Sequence, residues 1–242
     1  HDAPDSSVTV LVHLDRLRHN FHELQRACGV PIMPVLKADA YGHGVVRCAK
    51  ALEAYAPLLG VGTVAEGSML RDAGIATPIL AMVGLICKED ARLAARDRIM
   101  PLAGTSEALK ALNAAHSGSA PLPVALKFNT GMSRLGFSPD DVPAVIDLAR
   151  GLPNIAPAAA ISHLAAADES AGSSFTDRQI ALFDDIAAGL KSAFPQMQFS
   201  LANSAGGLAY EKARHDFVRG GIALYGCNPL EGSGLECMSP NL

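Results

Sequence analysis

The chain has 242 residues, of which 49% are hydrophobic and 18% are charged, and its formal net charge is -4. This composition supports a buried core and gives no basic excess for binding a nucleic acid, and no apolar run is long enough to span a bilayer. The five cysteines are scattered and include no C-x-x-C pair, which indicates a reduced, cytoplasmic protein without a zinc site.

Hydrophobic periodicity predicts secondary structure along most of the chain. A strand is expected at Val8–His13 and a helix at Leu14–Cys28, before a regular alternation begins. Eight strands are then expected at Ile32–Leu36, Leu58–Thr63, Ile79–Met82, Ile99–Leu102, Val124–Phe128, Ala158–Ser162, Met197–Leu201 and Phe217–Val218. The helices between them are expected at Val45–Tyr55, Ala65–Asp72, Lys88–Arg96, Ser106–His116, Pro139–Arg150, Thr176–Phe194 and Ser204–Lys212.

Eight strands that alternate with helices over about two hundred residues predict an α/β protein with a (β/α)₈ TIM-type barrel. A doubly wound open sheet is the alternative, but no glycine fingerprint of a dinucleotide site follows the first of these strands. Gly60 and Gly62 are interpreted instead as close-packing positions within a strand. We expect a barrel domain at residues 1–228 and a linker at residues 229–242, which are rich in glycine, proline and serine.

The strand predicted at Ile32–Leu36 runs directly into Lys37, and Tyr41, Gly42 and Gly44 follow before the next helix. A lysine at the carboxyl end of a barrel strand has two interpretations. It is a solvated surface lysine, as most lysines are, or an amine whose pKa is lowered by partial desolvation. In the second case the amine attacks a carbonyl and holds a Schiff base.

The carboxyl ends of all the strands of a barrel open on one mouth, so the polar residues after each strand form one candidate site. Besides Lys37 and Tyr41, these residues are Lys127, Asn129, Arg134, His163, Asn203, Ser204, Arg219, Gly220, Gly221 and Ile222. The set is cationic and contains few carboxylates, which predicts an anionic ligand such as a phosphate together with a carboxylate. Taken singly, the arginines could form surface ion pairs, His163 could be a core histidine and Ser204 could be a helix N-cap.

Five stretches carry a set of motifs in a fixed order. They are Val35–Gly44, Lys127–Phe137, Ser162–Glu169, Ala202–Ala205 and Val218–Gly226. Together they resemble the motifs of the alanine racemase family, and the first looks like that family's attachment signature for pyridoxal 5'-phosphate. The resemblance implies a homodimeric racemase that interconverts L-alanine and D-alanine for peptidoglycan synthesis, with its barrel domain in this chain.

The resemblance also implies a role for each site residue. Lys37 would carry the cofactor and move the α-proton on one face of the amino acid. Arg219 would face the pyridine nitrogen, which stays unprotonated because a guanidinium keeps its proton. His163 would lie near the cofactor ring and hydrogen-bond within the Arg219 network.

The resemblance assigns the remaining contacts to the phosphate and the substrate. The phosphate would be held by Tyr41, Ser204, Gly221 and Ile222, with Asn203 in support of the Ser204 turn. Arg134 would bind the substrate carboxylate. Lys127, which is carbamylated in many members of the family, would orient Arg134.

The chain departs from the family at Ser133 and Gly220, where glycine and proline are usual, and at Asn129, where an acid is common. The family also has a second, mostly β domain that donates the base for the opposite face, and we expect this chain to be a poorly active fragment without it. Two alternatives stay open: a non-catalytic barrel that binds pyridoxal phosphate for its homeostasis, and a pyridoxal phosphate decarboxylase of the same fold type.

Overall fold

The computed structural model describes residues 10–169 and 174–230, and these residues alternate between strands and helices. The strands are β1 (Ile32–Pro34), β2 (Leu59–Val61), β3 (Ile79–Ala81), β4 (Met100–Ala103), β5 (Leu122–Lys127), β6 (Ile155–Ile161), β7 (Gln198–Ser200) and β8 (Val218–Gly220). The helices are α1 (Leu14–Cys28), α2 (Val45–Leu52), α3 (Val64–Asp72), α4 (Lys88–Asp97), α5 (Ser106–Ala115), α6 (Val142–Arg150), α7 (Ser174–Ala193) and α8 (Ser204–Ala209).

All eight strands of the predicted alternation are present, with ends that differ from the predicted ones by no more than three residues. Short 3₁₀ turns at Pro139–Asp141 and Glu211–Ala213 replace the ends of two predicted helices. The strand predicted at Val8–His13 is wrong for residues 10–13, which have no regular structure. Val10 and Leu11 are more than 60% exposed there, so their alternating pattern meets no neighbouring strand. Residues 8 and 9, and most of the expected linker at 229–242, lie outside the described residues.

The strands pair in parallel and in chain order. Strands β2 to β7 form one six-stranded sheet, and β1 pairs with β8 with Ile32 opposite Val218. Between the two sheets, the Leu36 N–H donates to the Gly60 carbonyl at 2.6 Å and the Arg219 N–H donates to the Ala202 carbonyl at 3.1 Å. The α/β class and the parallel, half-barrel sheet are therefore confirmed.

The core lies on both faces of this sheet system. On the outer face, α1 buries Leu17, Phe21 and Leu24, which recur at helical spacing. On the inner face, Met33, Leu80, Leu102, Ala125 and Ile161 form a second buried cluster contributed by five strands. Gly60 packs closely against this cluster, because a Cβ at that position would lie 2.7 Å from Cε of Met33. No helix within the described residues combines the length and apolar character needed to cross a membrane.

Arg71 joins two backbone segments at the opposite end of the strands from their carboxyl ends. Its Nε donates to the Asp97 carbonyl at 3.0 Å, and its Nη1 donates to the carbonyls of Ile75 and Thr77 at 2.7 and 2.8 Å. One guanidinium therefore satisfies carbonyls at the end of α4 and in the loop after α3.

We expect Arg71→Met to lower the free energy of unfolding by about 2 kcal/mol, because the aliphatic stem remains but partly buried carbonyls lose a charged donor. Urea unfolding followed by circular dichroism measures this change. Arg92→Met is the matched control, since Arg92 forms an exposed ion pair with Glu89 and its loss should have little effect. Equal losses for the two variants would contradict the structural role given to Arg71.

Candidate active site

The carboxyl ends of the strands open on one cavity of about 610 Å³. The predicted site residues that line it are Lys37, Tyr41, Lys127, Arg134, His163, Asn203, Ser204, Arg219, Gly221 and Ile222. Asp168 is the one carboxylate among the lining residues that the structure describes, so the cavity is strongly cationic. Nowhere in residues 10–169 and 174–230 do three or more His, Cys, Asp or Glu side chains cluster as metal ligands would.

The segment after β1 is a left-handed helical turn at Lys37–Gly42, which precedes the helix that the sequence predicted from Val45. Ala38, Asp39, Ala40 and Tyr41 have φ angles of 53°, 53°, 55° and 53°. This conformation costs roughly 1–2 kcal/mol for each residue that has a Cβ, and single αL residues are the norm. The turn exposes Lys37 at the rim of the cavity and places its Nζ 5.7 Å from the centre of the Tyr41 ring.

Glycines end this turn and lead into α2. Gly42 and Gly44 have φ angles of 82° and 87°, which favour glycine. A carboxylate oxygen of Asp39 accepts from the Val45 N–H at 2.7 Å and so satisfies a free donor at the start of the helix. The path of the backbone thus explains why glycine occupies both positions.

Arg219 is buried on β8 with 4% of its surface exposed, and no carboxylate in the described parts of the chain pairs with it. Its Nη1 donates to the carbonyl and hydroxyl of Ser200 at 3.0 and 2.9 Å. Its Nη2 lies 2.8 Å from the Ser162 carbonyl, 3.1 Å from the Leu201 carbonyl and 3.0 Å from Nδ1 of His163. Neutral acceptors at the ends of β6 and β7 therefore stabilise the positive charge of Arg219.

The contact between Arg219 and His163 fixes the state of the imidazole. Burial, followed by the charges of Arg219 and Lys127, lowers the pKa of His163 to about 3. A guanidinium only donates, so Nδ1 of the neutral ring accepts and Nε2 carries the proton. Burial lowers the pKa of Arg219 to about 10, which leaves it charged at neutral pH. The interpretation of His163 as an ordinary core histidine is therefore incomplete, because it leaves out the contact with Arg219.

A small cradle forms where the Tyr41 hydroxyl, Ser204 and Gly221 meet. The Gly221 N–H donates to Oγ of Ser204 at 2.8 Å. A Cβ at Gly221 would lie 3.3 Å from the Tyr41 hydroxyl and 3.8 Å from Oγ of Ser204, so only glycine leaves this space open. The exposed Ile222 begins a 3₁₀ turn at Ile222–Tyr225 beside it.

The alternative role of Ser204 as a helix N-cap is wrong. The N-cap of α8 is Asn203, whose side-chain oxygen accepts from the Gly206 N–H at 2.9 Å. Ser204 is the first helical residue, and its hydroxyl instead faces Gly221. Asn203 therefore caps the helix that Ser204 begins.

Lys127 and Arg134 come from β5 and the loop that follows it. Lys127 is 6% exposed, and burial together with the charges of Arg219 and Arg134 lowers its pKa to about 7. Arg134 lies exposed on the loop, which Asn129 holds by accepting from the Gly131 and Ser133 N–H groups at 3.1 and 2.9 Å. An amide oxygen thus holds the loop at the position where the family resemblance led us to expect an acid.

Sequence reasoning missed a buried polar network behind the cavity. Nε2 of Gln179, on α7, donates to the His163 carbonyl at 3.0 Å and its Oε1 accepts from the Ala165 N–H at 2.9 Å. Thr130 and Ser162 join the same network through their hydroxyls, 2.8 Å apart. The available signal was a polar residue on the apolar face of a helix, next to Ile180.

The low pKa of His163 has a consequence for stability. Between pH 3 and 6.5 the unfolded chain binds a proton at this residue and the folded chain does not, so stability rises with pH across this window. His163→Gln keeps an acceptor but does not titrate. We expect the variant to have a shallower slope, by up to about 1.4 kcal/mol per pH unit, in urea unfolding series. Parallel slopes for both proteins would contradict the neutral, buried imidazole.

Sequence comparison places the chain among proteins of one kind. Residues 12–229 match the family model for the alanine racemase N-terminal domain. The alanine racemase of Nitratidesulfovibrio vulgaris (strain DP4) is 45% identical over 231 residues, which cover 95% of this chain and 61% of that relative. The alanine racemase of Lawsonia intracellularis is 40% identical over 232 residues, which cover 94% of this chain and 61% of that protein. The chain thus spans less than two thirds of the curated relatives that it matches.

Solved structures give the same result for the fold. The biosynthetic alanine racemase of Pseudomonas aeruginosa superposes with a TM-score of 0.85 at 33% identity, over 95% of this chain and 63% of that one. The alanine racemase of Clostridium difficile 630 superposes with a TM-score of 0.86 at 30% identity, over 97% of this chain and 63% of that one. The shared fold therefore extends over nearly the whole chain.

Proposed function

This chain belongs to the alanine racemase N-terminal domain family, and from that premise we propose that it is the cofactor-binding part of a pyridoxal phosphate-dependent alanine racemase. The substrate is alanine, and the D-alanine produced serves peptidoglycan synthesis in the cytoplasm. The observation that carries the proposal is the convergence of Lys37, the Arg219–His163 pair and the Gly221 cradle on one cavity.

We also propose that the eight strands close into a (β/α)₈ barrel within residues 1–228. The backbone hydrogen bonds from Leu36 to Gly60 and from Arg219 to Ala202 support closure, since they link the two sheets at both of their edges. Closure brings the carboxyl ends of β1, β5, β6, β7 and β8 around one opening, which is where enzymes of this architecture hold their ligands.

When bound, pyridoxal phosphate supplies an electron-withdrawing ring that makes the α-proton of an attached amino acid more acidic. The residues of this cavity fit the group. Arg219 has an Nε–H that no described residue accepts, and this donor would face the pyridine nitrogen without giving up its proton. Tyr41, Ser204 and the backbone N–H groups of Gly221 and Ile222 would hold the phosphate, for which the Gly221 N–H would exchange its bond to Oγ of Ser204.

Lys37 attaches the cofactor and moves the α-proton on one face of the amino acid. Arg134, which makes no ion pair within residues 10–169 and 174–230, binds the substrate carboxylate. Lys127 has a pKa of about 7, so near neutral pH a large fraction of it is the neutral amine that reacts with carbon dioxide. We propose that it is carbamylated, since the resulting anion would lie beside the charges of Arg219 and Arg134.

Racemisation needs a proton-transfer group on each face of the amino acid, and Lys37 is the one that we assign within the described residues. Tyr225 does not serve as the second, because its buried hydroxyl donates to the Val35 carbonyl at 2.9 Å. Tyr41 is committed to the cradle beside Gly221. We propose that the opposite-face base lies in the part of the relatives that this chain does not match and that a homodimer completes the site, so the chain alone racemises alanine poorly.

The cradle gives a direct test of the phosphate site. Gly221→Ala adds a methyl group 3.3 Å from the Tyr41 hydroxyl, and we expect the dissociation constant for pyridoxal phosphate to rise about tenfold or more. Equilibrium dialysis measures it. Gly151→Ala is the control, because the added methyl meets only backbone oxygens at 3.4 Å or more and the position lies outside the cavity lining. Equal affinities of Gly221→Ala and the unsubstituted protein would contradict the placement of the phosphate in this cradle.

Covalent attachment tests the function as a whole. Borohydride reduction in the presence of pyridoxal phosphate should fix the cofactor to Lys37, as peptide mass spectrometry would show, and Lys37→Ala should lose this attachment. Lys50→Ala, an exposed lysine on α2, should retain it. With L-alanine in deuterated water, exchange of the α-proton separates a catalyst from a barrel that only binds the cofactor. Attachment without exchange would favour the binding protein or an inert fragment, and attachment at other lysines would overturn the proposal.

A further inference from the structure

We propose that Glu66 is the positioning residue of the Lys37 turn, holding the lysine at the cavity rim through the backbone of the neighbouring residues. This inference rests on the proposed function, because that function gives the Lys37 amine its role. Glu66 lies on α3, which follows β2, whereas Lys37 follows β1. The carboxylate therefore acts between two neighbouring loops and touches neither the cofactor site nor the reacting atoms.

The two oxygens of the Glu66 carboxylate face different loops. Oε2 accepts from the N–H groups of Gly62 and Thr63 at 2.7 and 3.1 Å, at the start of its own helix. Oε1 accepts from the N–H groups of Ala38 and Asp39 at 2.8 and 3.4 Å, in the left-handed turn. One carboxylate thus satisfies four backbone donors and ties the Lys37 turn to the end of β2.

Asp90 occupies the equivalent position in α4 but makes no contact with a second loop in the part of the chain that the structure describes. Like Glu66, it is the third residue of its helix, and its Oδ2 accepts from the N–H groups of Ile86 and Cys87 at 2.6 and 3.0 Å. These donors occupy the same two places before the helix as Gly62 and Thr63 do. An aspartate at the third helical position is therefore long enough to cap the helix. The extra methylene of Glu66 allows its second oxygen to reach the Lys37 turn.

The turn needs such support because its conformation is unfavourable. Four consecutive residues from Ala38 to Tyr41 have positive φ, and none of them is glycine. Isolated chains leave the left-handed region readily, so the surrounding contacts must hold it. A Cβ at Gly62 would meet both Oε2 of Glu66 at 2.9 Å and Cβ of Lys37 at 3.4 Å, which shows how closely the carboxylate and the lysine stem approach the same backbone.

Glu66→Asp separates the two roles, because the shorter side chain keeps the cap and the charge but loses the reach to Ala38. We expect the amides of residues 38 and 39 to exchange hydrogen about tenfold faster or more in the cofactor-free chain. We expect the concentration of pyridoxal phosphate that half-saturates trapping at Lys37 to rise about tenfold or more. The urea midpoint should stay near that of the unsubstituted protein. Glu66→Ala should show the same two changes together with a lower midpoint.

Asp90→Ala is the matched control, since it removes a cap of the same kind from α4, away from the turn. It should lower the midpoint while leaving exchange at residues 38 and 39 and trapping at Lys37 unchanged. Unchanged exchange and trapping in Glu66→Asp would overturn the positioning role, as would equal effects in Asp90→Ala. If the unsubstituted chain traps no cofactor at Lys37, the proposed function fails, and hydrogen exchange alone then decides whether Glu66 holds the turn.

Discussion

The electrostatics of the cavity depend on the burial of one guanidinium. Arg219 lies 4% exposed without a carboxylate partner in the described parts of the chain, which would be costly if its donors were not satisfied. Carbonyls and side chains at the ends of β6 and β7 satisfy them. The uncompensated positive charge then acts on its neighbours. It contributes to the low pKa values of His163 and Lys127, and it makes the whole mouth a site for anions.

The order of the elements and the membership of the site could be predicted from the sequence. Periodicity located the strands, and a parallel arrangement of alternating strands and helices brings their carboxyl ends together. Ten of the predicted site residues, from Lys37 to Ile222, therefore line one cavity, whereas Asn129 and Gly220 do not. The sequence pattern indicates which residues follow the carboxyl end of each strand. In this architecture those residues lie around the same opening.

Other features could not be predicted, because they depend on contacts between distant segments. Val10 and Leu11 alternate like strand residues, yet no neighbouring strand in the described structure pairs with them. The left-handed turn after Lys37 contradicts local propensity and exists because tertiary hydrogen bonds hold it. Glu66 left a local signal, the capping box that begins at Thr63, but nothing in that signal indicates the second oxygen's contact with another loop.

The acceptors around Arg219 have a consequence for how the site tolerates change over evolution. Three of them are the backbone carbonyls of Ser162, Ser200 and Leu201, and Glu66 likewise binds only backbone N–H groups in the Lys37 turn. Backbone N–H and carbonyl groups remain present after most amino-acid replacements. The charged centre is therefore robust to drift at the positions that surround it, provided that the path of the chain is kept. Divergent sequences can thus maintain the same local field while few of the surrounding side chains remain identical.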